Sequence, residues 1–255
     1  HEAYVVGGCV RDSILGLKPN DWDICTSANP DEVIEVLGSY EIIPTGLKHG
    51  TVTALAGDGI VSKYVGYEIT TFRKDGEYKD NRHPESVEFV KSLKEDLARR
   101  DFTINAMAYS DATGVVDYFG GIDDLNNKVI SCVGNPDDRF NEDALRMMRA
   151  MRFSSTYGFS IAKETAESIH RNKALLDNIA AERIQTELIK TLFGNGVLDV
   201  LLEYSDVIAQ IIPEIKPCIG FEQNNPYHIY NVYDHIAHAV SNYKGDDVSI
   251  KVALL

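Results

Sequence analysis

Two short stretches decide the fold, Tyr4-Val5-Val6-Gly7-Gly8-Cys9-Val10-Arg11-Asp12 and, twelve residues after the glycine pair, Asp21-Trp22-Asp23-Ile24. The first stretch predicts a strand that passes through two glycines into a helix. Residues i and i+2 of a strand point to the same face, so Asp21 and Asp23 are candidate ligands for a hard cation such as Mg²⁺. The glycine pair lets the backbone approach a phosphate, and Arg11 adds positive charge one turn into the helix.

Outward from these stretches, short strands and helices alternate in the first half of the chain. Strands are predicted at 4–6, 22–24, 51–55, 67–71 and 87–90, and helices at about 10–16, 30–37 and 94–108. Residues 137–212 contain no proline and repeat apolar residues at three- and four-residue spacing, which is typical of packed helices. We therefore predict an α+β fold, with a head of mixed sheet and helices at 1–130, an all-helical neck at 131–192 and a helical body at 193–255.

Composition restricts the classes of function. The 255 residues include 39 Asp and Glu against 25 Lys and Arg, and a net charge of −14 argues against a basic coat for nucleic acid or a basic membrane surface. The sequence has no run of 18 apolar residues and no signal-peptide pattern. Four cysteines without CxxC spacing predict neither disulfides nor a zinc site, and therefore a cytoplasmic location. A first residue other than Met and an apolar last segment predict a piece of a longer protein.

Polar side chains recur at helical spacing in Arg99-Arg100-Asp101-Phe102-Thr103-Ile104-Asn105-Ala106. Asp101 and Asn105 are four residues apart, which would place them on one face of a helix, with Arg100 close by. From spacing alone, a capped, salt-bridged surface helix is the favoured interpretation. The segment alone therefore favours a structural interpretation, and a functional one needs further motifs.

A second polar segment runs from Arg139 to Phe153, with Glu142 and Asp143 predicted at the start of a helix. Its arginines recur at every third position, at Arg146, Arg149 and Arg152. Ordinary helix capping and charge pairing is one interpretation. The alternative is a hydrogen-bonding template for a base edge. In that template, Asp143 accepts from the amino group of cytosine or adenine and Arg146 donates to the neighbouring ring atom.

The glycine pair and the acidic pair, in this order, resemble the signature of the DNA polymerase beta nucleotidyltransferase superfamily. The resemblance implies two-metal nucleotidyl transfer, with Asp21 and Asp23 as catalytic carboxylates that bind Mg²⁺. A third carboxylate usually comes from a neighbouring strand in that superfamily. Glu68 is the catalytic candidate here, and a solvent-facing strand glutamate is the alternative.

A longer set of motifs resembles the bacterial class II tRNA nucleotidyltransferases, the CCA-adding enzymes, and their poly(A) polymerase relatives. In chain order, these motifs are Gly7–Asp12, Asp21–Asp23, Thr45–Thr51, Thr70–Arg73, Arg99–Ala106, Gly120–Asp124 and Glu142–Phe153. The resemblance covers roughly residues 3–190 and implies addition to the tRNA 3′ end from CTP and ATP without a nucleic-acid template. The residues implied to contact the nucleotide are Gly8, Arg11 and Arg100. Those implied to read its base or complete and support its pocket are Asp143, Arg146, Arg149, Arg152, Asp101, Asn105 and Glu142.

The particular activity within the family stays open. The polar segment 73–89 resembles the family's flexible loop, which switches addition from C to A, although members often carry an Arg at the position of His83. A complete loop argues against CC-only addition, and the chain lacks the G-R-R-F run of bacterial poly(A) polymerases. Full CCA addition is our prediction, and A-only addition and polyadenylation are its alternatives.

The last part of the chain adds a separate question. Residues 225–236 resemble the opening of an HD-type phosphohydrolase domain, which the sequence does not complete. We interpret His228, His235 and His238 as ordinary helix histidines. The non-enzymatic alternative for the whole chain is an inactive RNA-binding module on the same fold. The intact pair of Asp21 and Asp23 argues against that alternative, because two adjacent carboxylates without a cation have no structural purpose.

Overall fold

The computed structural model of the protein describes residues 1–44, 46–57, 64–76 and 86–255. These residues form two compact units, each described separately below. The described residues of unit 1 are 1–44, 46–57, 64–76, 86–127 and 132–134. Unit 2 comprises residues 128–131 and 135–255. Position 83, whose role the sequence leaves open, lies outside the described residues.

Unit 1 combines a sheet with short helices. Its strands are β1 (Ala3–Val6), β2 (Asp23–Thr26), β3 (Glu41–Ile43), β4 (Thr51–Gly57), β5 (Tyr64–Thr71), β6 (Arg73–Asp75), β7 (Val87–Phe89), β8 (Met107–Ser110) and β9 (Gly114–Asp117). Its α-helices are α1 (Gly8–Ile14), α2 (Pro30–Val36), α3 (Leu93–Ala98) and α4 (Gly121–Asn127), and single 3-10 turns form at Leu47–His49 and Thr103–Asn105. Each of the five predicted strands is present, with ends that differ by up to three residues.

Seven of the described strands form one mixed sheet in the order β3-β4-β5-β2-β1-β8-β9. Strands β2 and β5 run parallel, and the other pairs in this sheet are antiparallel. The parallel register places Asp23 directly beside Glu68. The mixed sheet with helices that the sequence predicts for the head is confirmed.

Two apolar clusters cover the faces of this sheet. One contains Val6 and Cys25 together with Leu93 and Leu97 of α3. The other contains Val33 of α2 with residues of β4 and β5, and Ile24 packs against it. Because neighbouring strand residues point to opposite faces, successive positions of β2 serve different clusters. The start of β2, where Asp23 lies, is thereby fixed from both sides.

The predicted helix over 94–108 is wrong beyond Ala98. Helix α3 ends there, Phe102 has an extended backbone with φ −125° and ψ 151°, and β8 follows after one 3-10 turn. The Asp101 carboxylate accepts a hydrogen bond from the N–H of Phe102 at 2.8 Å. Such local side-chain bonds compete with helix formation, and burial of Phe102 holds the chain in the extended form.

Unit 2 consists mainly of helices. They are α5 (Pro136–Glu142), α6 (Leu145–Tyr157), α7 (Lys163–Asn172), α8 (Ala181–Leu192), α9 (Val197–Glu203), α10 (Ser205–Ile211), α11 (Val232–Asn242) and α12 (Val248–Ala253), with 3-10 turns at Lys173–Asn178 and Pro213–Cys218. The all-helical prediction missed one small parallel pair, β10 (Val129–Ile130) with β11 (Ser160–Ile161). Helix α6 packs against α8 and α9 and is the centre of this unit, since its Met147, Met148 and Met151 are fully buried.

The prediction that a helix begins at Glu142 and Asp143 is also wrong, because α6 begins at Leu145. Glu142 is the last residue of α5, and Asp143 has an extended backbone with φ −140° and ψ 103°. The Asp143 carboxylate accepts from the N–H of Leu145 at 3.1 Å, where α6 begins. The break therefore has a local cause, because an Asp side chain that caps the next helix favours an extended backbone.

Candidate functional site

The acidic pair lies at the start of the central strand β2. Asp23 is the first residue of β2 and is half-buried, whereas Asp21 precedes the strand and is exposed. The prediction that both carboxylates lie on one strand is therefore wrong for Asp21. Glu68 is exposed and occupies the position on β5 directly beside Asp23, as its candidate role requires.

Burial and neighbouring charges together determine the pKa of Asp23. Burial raises the pKa of Asp23, the charges of Asp21 and Glu68 add to the rise, and Arg100 opposes it. In the described residues, no three His, Cys, Asp or Glu side chains group closely enough to hold a metal unaided. Mg²⁺ often takes only one or two carboxylates, with phosphates and water as its other ligands. The pair Asp21 and Asp23 fits a cation that binds together with a triphosphate.

The glycine pair brings two guanidinium groups close to the backbone. Gly7 has φ +79°, a conformation that favours glycine, and its N–H donates to the carbonyl of Met107 at 3.2 Å. A Cβ on Gly7 would lie 2.8 Å from Arg100 Nη1, and one on Gly8 would lie 3.4 Å from Arg11 Nη2. The absence of side chains at these two positions gives both arginines access to the turn at the start of α1.

Arg11 belongs to a buried polar network. Its Nε donates to Asp12 Oδ1 at 2.8 Å, and its Nη1 makes a short hydrogen bond to Asn105 Oδ1. Asn105 in turn donates to Asp101 Oδ1 at 3.0 Å. Asp101 and Asn105 thus lie together as predicted, but through a loop and a 3-10 turn instead of a helix. The network fixes the guanidinium of Arg11 beside Gly8.

Sequence reasoning missed Asp96, which is fully buried beside Arg100. Asp96 Oδ2 lies 3.7 Å from Arg100 Nη2, and its other oxygen accepts from Arg99 at 2.9 Å. Arg100 therefore extends from Asp96 towards Gly7. The signal that could have revealed Asp96 is its i, i+3 and i, i+4 spacing to Arg99 and Arg100 on a predicted helix.

In unit 2, Glu142 holds two arginines. Arg146 Nη1 donates to Glu142 Oε2 at 2.6 Å and to the carbonyl of Arg139 at 3.2 Å. Arg139 makes a second, short ion pair with Glu142 Oε1. Arg146 is buried, so Glu142 orients its guanidinium across the break between α5 and α6. Glu142, which the sequence predicts to support the nucleotide pocket, thus contacts Arg146 directly.

Helix α8 supplies two charged residues that sequence reasoning also missed. Arg183 Nη2 lies 3.3 Å from Asp143 Oδ2, and Glu187 Oε2 lies 2.7 Å from Arg152 Nε. Arg183 and Glu187 are four residues apart, so one face of α8 carries both. The guanidinium of Arg152 also stacks on Phe153 at 4.1 Å from the ring centroid.

Arg149, the remaining arginine of α6, lies over the same aromatic ring. Its guanidinium carbon is 5.4 Å from the centroid of Phe153. Within unit 2, the predicted residues thus form three groups: Glu142 contacts Arg146, Asp143 contacts the unpredicted Arg183, and Arg149 and Arg152 lie against Phe153. The first two groups join residues of different helices or of the break between them, and the third lies on successive turns of α6.

The fold of unit 1 is that of a nucleotidyltransferase head. The Poly A polymerase head domain family matches residues 3–131, half of the chain, and a second family, described as the probable RNA and SrmB-binding site of polymerase A, matches residues 158–219. The chain belongs to the Poly A polymerase head domain family. The family resemblance predicted from the motifs is confirmed.

Similar proteins extend the comparison beyond the head. The CCA-adding enzyme of Ligilactobacillus salivarius is 48% identical over 205 residues, which are 80% of this chain and 49% of that protein. The crystal structure of the Bacillus stearothermophilus CCA-adding enzyme in complex with CTP matches with a TM-score of 0.69 and 42% identity, over 80% of this chain and 48% of that one. A tRNA nucleotidyltransferase complexed with a primer tRNA and an incoming ATP analogue matches with a TM-score of 0.67 and 29% identity, over 99% and 76% of the two chains. The chain spans about half the length of the curated relatives it matches.

No described helix is both long enough and apolar enough to span a bilayer.

Proposed function

We propose that the protein is a CCA-adding tRNA nucleotidyltransferase, which transfers CMP and AMP from CTP and ATP to the 3′ end of tRNA. The observation that carries this proposal is the pair Asp21 and Asp23 next to a glycine turn flanked by Arg11 and Arg100. The names of the relatives support CCA addition over the other activities of the family.

Asp21 and Asp23 are the proposed ligands of the divalent cation, which we propose to be Mg²⁺. When bound, the cation neutralises charge on the phosphates and activates the attacking hydroxyl. Glu68, beside Asp23 on β5, is proposed as a third catalytic carboxylate and not as a cation ligand. Burial raises the pKa of Asp23 most, and the charges of Asp21 and Glu68 add to the rise. The assignment of Asp21 and Asp23 as cation ligands is supported because a bound cation would offset both effects.

Arg11, Arg100 and Gly8 are proposed to position the triphosphate. The 3′ hydroxyl oxygen of the primer forms a bond to the α-phosphorus, and pyrophosphate leaves with the electron pair of the broken bond. Two guanidiniums next to a backbone without side chains provide hydrogen-bond donors that match phosphate oxygens. Asp101 and Asn105 hold Arg11 in place. The transfer needs positioning and charge neutralisation and no covalent protein nucleophile.

Asp143 and Arg146 are proposed to select the base. A carboxylate only accepts and a guanidinium only donates, so the pair matches cytosine and adenine and opposes the carbonyl groups of uracil and guanine. Glu142 orients Arg146, and Arg183 contributes to holding Asp143. Arg149 and Arg152, arranged around Phe153, are proposed to complete the nucleotide pocket.

The tRNA is proposed to contact the helical part of the chain, since residues 158–219 match a probable RNA-binding family. The subdivision of that part into a neck and a body remains a prediction. A cytoplasmic location is proposed as well, where the free cysteines stay reduced.

A stepwise incorporation assay tests the proposed function. The full-length protein is incubated with tRNA that lacks its last three nucleotides and with CTP alone, ATP alone, or both. We expect two additions with CTP alone and three with both nucleotides. Addition only to a tRNA already ending in CC would indicate an A-adding enzyme, and a long A tail would indicate a poly(A) polymerase. No incorporation by wild-type protein that is folded would contradict enzymatic function and favour the inactive RNA-binding module.

A further inference from the structure

We propose that Asp96 is a positioning residue of the nucleotidyl transfer, which aims Arg100 at the triphosphate. The inference rests on the proposed function and extends it to a residue outside the motifs described above. Asp96 is a carboxylate with no exposed surface, situated in the middle of the short helix α3. A buried carboxylate is costly unless positive groups and hydrogen bonds compensate it.

The two oxygens of Asp96 have different partners. Oδ1 accepts from the backbone N–H of Arg73 at 3.2 Å, from Arg99 Nε at 3.1 Å and from Arg99 Nη2 at 2.9 Å. Oδ2 makes no hydrogen bond within the described residues and lies 3.7 Å from Arg100 Nη2. One oxygen thus anchors the carboxylate, and the other one is directed at Arg100.

Arg100 is held between Asp96 and the glycine turn. Its Nη2 is next to Asp96, while its Nη1 lies 2.8 Å from the position that a Cβ on Gly7 would take. Its Nε is buried without a hydrogen-bond partner among the described residues. Because a guanidinium is planar, its attraction to Asp96 at one nitrogen fixes the direction in which the other nitrogen points. Asp96 therefore sets the angle at which Arg100 faces the proposed phosphate site.

Asp96 also connects Arg100 to the β6–β7 hairpin. Arg73 is the first residue of β6, and its backbone N–H is one of the donors to Asp96. The side chain of Arg73 donates to the carbonyl of His49 at 2.6 Å and pairs with Asp75 at 3.2 Å. The carboxylate thus ties the base of this hairpin to α3, so that Arg100 projects from a fixed support.

The substitution Asp96→Asn isolates this role. Three donors require an oxygen at the Oδ1 position, so the amide NH₂ replaces Oδ2 and faces Arg100, where it repels the guanidinium. We expect kcat/KM to fall by about 10- to 100-fold for both CTP and ATP, as is typical when an orienting partner is lost. Selection of CTP over UTP should change less than about twofold, because the proposed base-reading residues belong to unit 2. Glu95→Gln, the same charge change at the exposed neighbouring position, is the matched control and should leave kcat/KM unchanged.

A double-mutant cycle separates positioning from general structural damage. If Asp96 acts through Arg100, Asp96→Asn should add less than about threefold to the loss caused by Arg100→Ala, since interacting residues are not additive. If the double mutant loses kcat/KM by the full product of the two single-mutant losses, the inference is overturned. Unchanged kcat/KM in Asp96→Asn would also overturn it. Each variant's kcat/KM is compared with that of the wild type, so the test requires an active wild-type protein. An inactive wild type would instead indicate that the proposed function itself is wrong.

Arg100→Lys provides a second test, should Asp96→Asn fail to fold. Lysine keeps the charge but has a single ammonium group, which cannot contact Asp96 and the phosphate site in the same way. We expect a loss of about 10-fold or more in kcat/KM with a thermal midpoint close to that of the wild type. Wild-type kcat/KM in Arg100→Lys would refute the orienting role of Asp96.

Discussion

Asp23→Asn is expected to lower CMP incorporation by about 10³-fold or more while the protein remains folded. The amide keeps the shape of the carboxylate but loses the charge that a divalent cation requires. The side chain lies at the start of the central strand, where no other described carboxylate can replace it, since Asp21 is outside the strand and Glu68 belongs to β5. Asp31→Asn, an exposed acid in the first turn of α2, is the control with the same charge change and should retain activity.

Stability should respond in the opposite direction to activity. The raised pKa of Asp23 means that the folded state binds the proton more tightly than the unfolded chain, so ionisation above that pKa destabilises the fold. Without a divalent cation at neutral pH, Asp23→Asn should therefore unfold at a temperature at least as high as the wild type. Mg²⁺ should raise the unfolding temperature of the wild type and should not raise that of the variant. The wild-type increase should become smaller as the pH falls through the pKa of Asp23, because the protonated carboxyl no longer binds the cation. An equal Mg²⁺ effect on both proteins would contradict the assignment of Asp23 as a ligand.

Asp143→Ala is expected to reduce the preference for CTP over UTP by about 10²-fold or more. The carboxylate is the proposed acceptor for the cytosine amino group, and uracil presents a carbonyl at that position. Only the ratio of kcat/KM for the two nucleotides tests this role. A lower overall rate with unchanged selection would show that Asp143 does not read the base.

The same substitution also removes a helix cap, because Asp143 accepts from the N–H of Leu145. The expected cost is about 1 kcal/mol of unfolding free energy. Asn135→Ala removes the comparable cap of α5, where Asn135 accepts from the N–H of Asp137 at 2.9 Å, and has no proposed base contact. It should lose similar stability and retain the CTP preference. If both Asp143→Ala and Asn135→Ala lost the preference for CTP over UTP, destabilisation would explain that loss.

Much of the head could be predicted because its determinants are local. The strand before Gly7, the helix after the glycine pair and the strand around Asp23 all follow from neighbouring residue types. The helix over 94–108 failed because burial of Phe102, a tertiary effect, extends the chain and overrides a polar pattern at helical spacing. Asp101 and Asn105 nevertheless contact each other, since several backbone forms can bring residues four apart together.

The charged partners of the site residues were less predictable. Arg183 and Asp143 are 40 positions apart in the sequence. Asp96 accepts a hydrogen bond from the backbone N–H of Arg73, which is 23 positions away. Such pairs depend on how helices and hairpins pack, which single-sequence periodicity does not encode. Sequence patterns therefore located the residues proposed for the chemistry, whereas the structure was needed to find the residues that orient them.

Sequencing the 3′ ends of the tRNA product tests the central claim most directly. The full-length protein acts on tRNA without its terminal three nucleotides while CTP, ATP, GTP and UTP are all present at equal concentration. We expect one product, extended by C, C and A in that order and not beyond. Ends of mixed sequence, a homopolymer of A, or unextended tRNA with folded protein would contradict the account.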